Sequence, residues 1–263
     1  MVKLILVYRI SDKGRNTIIN FKNKIFLLSR LINQINFDDI YIIADNCKPD
    51  SIKKIESYSK NIYITNLGNR GSFLFALNLG AKFSDDTIVY FCEDDYYHYD
   101  NLLKYNKEII QKLLIKFSYL SFYDHPDKYS NYILSKNSNI KYDLSEQTAI
   151  YRANDIDCDW RTSSSTTLTF ICSASTINSD LLIWRIFSLG NKIPRDTLPW
   201  ELITQSFVFN KFTLKNIIKL LILFIFIFIR KKRLLGVPLN GINEHLDSNV
   251  ISYKHINNLI RQC

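Results

Sequence analysis

The sequence of 263 residues is short of the features that define several protein classes. Its five cysteines (Cys47, Cys92, Cys158, Cys172 and Cys263) are scattered, and no two stand as Cys-x-x-Cys. A zinc ribbon and a thioredoxin-type redox pair are thereby excluded. An odd, unclustered set of thiols suits a reducing, cytoplasmic compartment. Seven glycines and five prolines are too few for a collagen-like or low-complexity chain. No internal repeat is present, which excludes solenoids and propellers. The opening run MVKLILVYRISDK is too short for a signal peptide and lacks a small-residue cleavage site, so it reads as a first strand. No ribonucleoprotein, zinc-finger or basic-zipper signature accompanies the net charge of +9, so nucleic acid is not the expected partner. A membrane surface or a phosphorylated ligand remains.

Long apolar runs are also scarce. The chief one is Leu220–Ile229, extended back to Ile217 and closed by Arg230-Lys231-Lys232-Arg233. As a helix, residues 217–229 rise roughly 20 Å, short of the roughly 30 Å hydrocarbon core. The segment is either a buried core helix or lies on a membrane with the basic run on anionic headgroups. A core helix does not account for the basic run, so a cytoplasmic protein with peripheral membrane association is expected.

What is present is a globular composition, 47% hydrophobic and 22% charged, with enough length for one large domain. Strand-like apolar runs at residues 3–10, 39–44, 61–65 and 87–92 alternate with helical spacing at 20–35, 51–59 and 71–83. That order predicts an α/β fold, a mostly parallel, doubly wound sheet with helices on both faces. Beyond residue 100 the alternation weakens: a helix over 102–117, strands over 119–122 and 162–172, helices from Leu181 and Trp200, and a loop-like tail from Gly236. Open sheets of this kind bind ligands at the carboxyl ends of their strands. Those ends are Ser11-Asp12, Asp45-Asn46, Asn66-Leu67-Gly68 and Glu93-Asp94-Asp95.

Two stretches carry chemistry. Three of the seven glycines fall in NLGNRGSFLFALNLGAK (66–82), where Gly68 and Gly71 permit positive φ or a close approach to a ligand, or simply form a tight turn. Ser72, Ala76 and Gly80 recur every four residues and let that helix sit close on the sheet. The spacing fits neither a dinucleotide fingerprint nor a P-loop. Adjacent carboxylates at 93–95 repel unless a cation compensates them. They suit a hard divalent ion, Mn²⁺ or Mg²⁺, or else form a solvated acidic loop or a helix cap.

Together KLILVYRISD, the strand end ADN at 44–46, NLGNRGSFLFALNLGAK and the DxD-like end IVYFCEDDYY resemble the GT-A glycosyltransferases of family 2. The resemblance covers about the first 100 residues. It implies a GT-A (Rossmann-like) single domain, with 1–100 as the nucleotide-sugar half and 101–263 as the acceptor half. It implies a metal-dependent, inverting transfer from a nucleotide-sugar to a hydroxyl of a glycan or lipid-linked glycan. Donor contacts would come from Ser11, Asp45 (near the base or ribose), Asn46, Gly71, Asn78, Glu93 and Asp94. Metal ligands would be Asp95, Glu93 and a late histidine, His245 ahead of His255. The base would be Glu201, with Asp196 the alternate and Leu202 standing where the family often has Asp. Trp200 would stack on a sugar, and Tyr123–Asp127 either line the acceptor site or form a turn. A sugar nucleotidyltransferase and a non-catalytic peripheral membrane protein are the rival readings. The first wants a Gly-rich basic loop after strand one, where Ser11–Arg15 holds a single glycine.

Overall fold

The computed structural model describes residues 2–13, 20–125, 128, 148–156, 158–188, 196–206, 230–239 and 241–246. Four strands come first: β1 (Leu4–Ile10), β2 (Asp39–Asp45), β3 (Asn61–Thr65) and β4 (Ile88–Glu93). They alternate with helices α1 (Phe21–Gln34), α2 (Pro49–Ile55) and α3 (Gly68–Gly80). β1 pairs in parallel with β2 and β4, and β2 with β3. Parallel neighbours need long crossovers, which the helices provide.

All seven residues of β1 are buried, because successive side chains enter opposite cores. Leu4, Leu6, Tyr8 and Ile10 pack with Leu28 and Leu31 of α1. Ile5 and Val7 pack with Phe73, Ala76 and Leu77 of α3. A continuous apolar run, covered by helices on both faces, is what a central parallel strand requires.

The later strands and helices are β5 (Tyr96–His98), α4 (Lys107–Lys116), β6 (Tyr119–Leu120), β7 (Ile150–Ala153), β8 (Cys158–Ser163), β9 (Phe170–Ser173), α5 (Ala174–Phe187), α6 (Thr197–Thr204), β10 (Leu235–Pro238) and β11 (Asn243–His245). The large sheet has nine strands in the order β3-β2-β1-β4-β9-β6-β10-β8-β7. Only β9 and β8 run against their neighbours, so seven of the nine point one way. β11 and β5 form a separate antiparallel pair over the carboxyl edge. The α/β class, the mostly parallel sheet and the helices on both faces are as the resemblance implies.

Several boundaries differ from the sequence reading, among them the start of α5 at Ala174 and not Leu181. The helix expected over 102–117 is a 3₁₀ turn at Asp100–Lys104 followed by α4, whose first turn is capped by Asn106 accepting from the Ile109 N–H at 2.9 Å. The strand expected over 162–172 is two strands, because the intervening hydroxyls bond locally: Thr166 Oγ1 donates to Ser121 Oγ at 2.8 Å and Thr167 Oγ1 accepts from Tyr96 Oη at 2.6 Å. The tail read as loop from Gly236 supplies β10 and β11.

Candidate active site

The period of two that buries β1 also sorts the acidic triplet. Arg9 follows Ile5 and Val7 onto the α3 side, where its guanidinium lies 5.3 Å from the Phe73 ring and donates to Asn69 O at 2.9 Å and Ser72 Oγ at 3.2 Å. Glu93 is its register partner on β4, and Arg9 Nη2 donates to Glu93 Oε1 at 2.5 Å. Asp94 turns to the α1 side. It accepts from the Ser11 N–H at 2.8 Å and pairs with Lys24 Nζ at 2.7 Å, while Lys24 also donates to Ser11 O at 2.7 Å.

Asp95 faces β11. Its Oδ2 lies 3.1 Å from His245 Nε2, its backbone O accepts from the Leu246 N–H at 2.8 Å, and its Oδ1 is buried with no hydrogen-bond partner. His245 stacks on Tyr96 at 4.8 Å between ring centroids, with the Tyr123 ring 6.0 Å away. Thus the turn between β4 and β5 carries Asp95, and β11 carries His245.

The electrostatics follow burial and partners. Burial pushes Glu93 up to about 7 against the pull of Arg9. Burial likewise raises Asp94 against Lys24. Burial also acts upward on Asp95, but His245, Lys24 and Arg9 outweigh it and hold that carboxyl below its ordinary value.

These residues fit a hard divalent ion in one specific way. An orphaned, buried carboxylate oxygen beside an imidazole could supply two donors to a divalent cation. Among the described residues no three His, Cys, Asp or Glu side chains converge as a self-sufficient metal cluster. An ion held by Asp95 and His245 would take its remaining ligands from water and ligand oxygens. Glu93, expected as a ligand, pairs with Arg9.

Beside the triplet, at the ends of β1, β2 and β3, opens a cavity of about 730 Å³ lined by Asp12, Lys13, Asn46, Cys47, Lys48, Ile64, Thr65 and Asn66. Asn46 is held in the left-handed region at φ 54°. Asp12 caps the start of α2, accepting from Lys48 N and from Ser51 Oγ at 2.8 Å.

The other expected residues are spread over the strand ends, α3 and the start of α6. Asp45 is buried. Its Oδ1 accepts from Thr65 Oγ1 at 2.8 Å and Leu67 N at 2.7 Å, and its Oδ2 from Asn46 Nδ2 at 2.7 Å, so it builds the β3–α3 turn. Gly68, at φ +70°, is the glycine that the turn requires. Gly71 is helical, and a Cβ there would come 2.6 Å from Leu67 Cβ, so its small size serves the helix start. Asn78 lies near the far end of α3, about 15 Å along the helix from Gly68. It donates to Leu74 O and accepts from Arg185 of α5, away from the sheet edge. Trp200 is wholly buried against Tyr119, Phe170 and Trp184, so its face is closed to a sugar. Glu201 is the fifth residue of α6 and does not open it. Asp196 immediately precedes that helix, with burial raising its carboxyl and His125 opposing from nearby.

Residues 217–229 and His255 lie outside the described residues. Arg230 and Arg233 pair with Asp180 of α5 at 2.9 and 3.3 Å, leaving Lys231 and Lys232 exposed. Half of the basic run thus has a structural reason, and it no longer argues by itself for headgroups. Among the described residues no helix is long and apolar enough to cross a membrane.

The profile of glycosyl transferase family 2 matches residues 25–167, more than half of the chain. The chain belongs to glycosyl transferase family 2. Among solved structures this family-2 chain is similar to S. aureus TarS 1-349, at 13% identity and a TM-score of 0.45, over 76% of this chain and 56% of that one. The chain thus spans just over half the length of that structure. It is also similar to 4-diphosphocytidyl-2C-methyl-D-erythritolsynthase from Anaerococcus prevotii DSM 20548, at 11% identity and a TM-score of 0.42, over 98% of this chain and 96% of that one. No curated protein matches.

Sequence reasoning missed Arg9 and Lys24 in the candidate site. Both left a signal: Arg9 is the one charge in a wholly buried strand, and Lys24 shares the helical face of Leu27, Leu28 and Leu31.

Proposed function

We propose that the protein transfers a sugar from a nucleotide-sugar, with inversion, to a hydroxyl of a glycan or lipid-linked glycan, and that Mn²⁺ or Mg²⁺ is held by Asp95 and His245. The observation that carries this reading is the orphaned Oδ1 of Asp95 beside His245 at the carboxyl edge of β4. When bound, the ion offsets the negative charge of the departing diphosphate. The 1–100 half takes the donor, with its nucleoside in the cavity around Asn46 and its phosphates toward Ser11 and the triplet. The 101–263 half takes the acceptor. The acceptor oxygen bonds to the anomeric carbon as the bond from that carbon to the diphosphate oxygen breaks, and the electron pair leaves with the nucleotide. The hydroxyl proton goes to a carboxylate. Asp196 suits that task better than Glu201, since burial raises its proton affinity and it precedes α6 beside His125, which follows the end of β6.

Calorimetry with UDP, GDP, CMP and dTDP, with and without Mn²⁺, tests the reading. One nucleotide should bind, at least about tenfold more tightly with the ion, and Asp95→Asn should erase that difference. If none binds under either condition, the proposal is wrong.

A further inference from the structure

Glu93, Asp94 and Asp95 are adjacent in the chain, yet the fold supplies an internal cation for each of the first two. Arg9 and Glu93 are 8% and 18% exposed, and Lys24 and Asp94 are 5% and 15% exposed. Neither cation is a loose surface group. Arg9 is fixed by Asn69 and Ser72 of α3, and Lys24 by Ser11 O. A lysine drawn from water into the sheet edge costs desolvation, which the ion pair and the Ser11 contact offset. The two faces of the sheet explain the sorting: Glu93 leans to the α3 side and Asp94 to the α1 side. Asp95, on neither face, keeps a buried oxygen without a partner.

We infer that Arg9 and Lys24 are positioning residues that hold Glu93 and Asp94 back from the divalent ion, so that the ion meets a single protein carboxylate. This rests on the proposed ion at Asp95. Affinity for a hard cation follows the number of charged oxygen ligands, so the donor-free protein binds it weakly and the donor's phosphates complete the site. Releasing Asp94 from Lys24 converts the protein into one that takes the ion without a nucleotide.

The test titrates Mn²⁺ alone into the full chain by calorimetry and follows the free-ion signal by electron paramagnetic resonance. Lys24→Met should bind Mn²⁺ at least about tenfold more tightly than wild type, since it adds one uncompensated carboxylate. Lys24→Arg should match wild type, and Lys24→Met with Asp94→Asn should return to it. Asp94→Asn alone should stay within about threefold of wild type, whereas Asp95→Asn should lose the ion in either background. The inference is overturned if a folded Lys24→Met binds no more tightly than wild type, or if Asp94→Asn loses Mn²⁺ as Asp95→Asn does. If Lys24→Met fails to fold by circular dichroism, the two aspartate variants decide. Retention of Mn²⁺ by Asp95→Asn would instead sink the metal reading itself.

Discussion

Asp196 and Glu201 compete for one task, and their surroundings separate them. A base must hold a proton affinity suited to accepting from a hydroxyl during attack. Burial moves Asp196 in that direction, against the opposing pull of His125. Glu201 sits one turn along α6, between the buried side chains of Trp200 and Leu202. Asp196→Asn should lower kcat/KM by about 10²–10⁴-fold while nucleotide affinity with Mn²⁺ stays unchanged. Glu201→Gln should leave the rate within about threefold, since no proton transfer is lost. Steady-state kinetics and nucleotide calorimetry on both variants decide, and the reverse pattern restores Glu201 as the base. Trp200 teaches the same lesson at this scale. Its ring reads as a sugar platform in one dimension, whereas in the fold its Nε1 donates to Thr167 O and its faces are closed by other aromatic rings.

Among the elements, α3 shows how closely a helix can be fitted to its sheet. Ser72, Ala76 and Gly80 form its narrow face, and a Cβ on Gly80 would come 2.4 Å from Phe91 Cζ. Phe91 is buried against Phe170 at 5.2 Å between centroids, so it has little room to move. Gly80→Ala should therefore destabilise the protein by about 1–3 kcal/mol, despite alanine's better helix propensity. Urea unfolding measures it, and a stabilised variant would show that α3 rides higher than described. This face was legible because small residues at a spacing of four leave a periodic signal. The first four strands were legible for the same reason, since each buries a short apolar run between helices. The later elements were less so. β10 is four residues, LGVP, seated between β6 and β8, which come from more than 70 residues earlier in the chain. A strand that short is defined by its partners and carries little period of its own. In the site, the acidic triplet was readable as residue types at a strand end, and His245 only through the family resemblance. Their division of labour was not, because it depends on which face of the sheet each carboxylate turns to and on cations from β1 and α1.

The molecule as a whole is closed at its carboxyl edge by the β5–β11 pair, which ties the early and late parts of the chain together. Tyr99 N donates to Ile242 O at 2.9 Å, and Tyr99 Oη donates to a Glu244 carboxylate oxygen. Within that clasp His98 is buried, with Nε2 2.7 Å from Tyr90 Oη and its backbone O accepting from Arg30 Nε at 2.6 Å. Burial, aided by Arg30, lowers its pKa to about 3. The neutral imidazole is thus native, while the unfolded chain takes up a proton below about 6.5. Stability from this group is complete above pH 6.5 and is lost as pH falls from there toward 3. Glu93 works in the opposite sense, because its raised pKa favours the folded state as pH drops from about 7. The pH profile of the wild type therefore mixes the two, and a comparison at fixed Glu93 separates them. His98→Gln keeps a hydrogen-bonding side chain without a proton to gain. Between pH 7 and pH 5 the stability difference between wild type and His98→Gln should move by about 2 kcal/mol in favour of the variant. Urea titrations of both proteins at the two pH values measure it. An unchanged difference would mean that His98 takes up its proton in the folded protein, and that the clasp over the site admits water at its base.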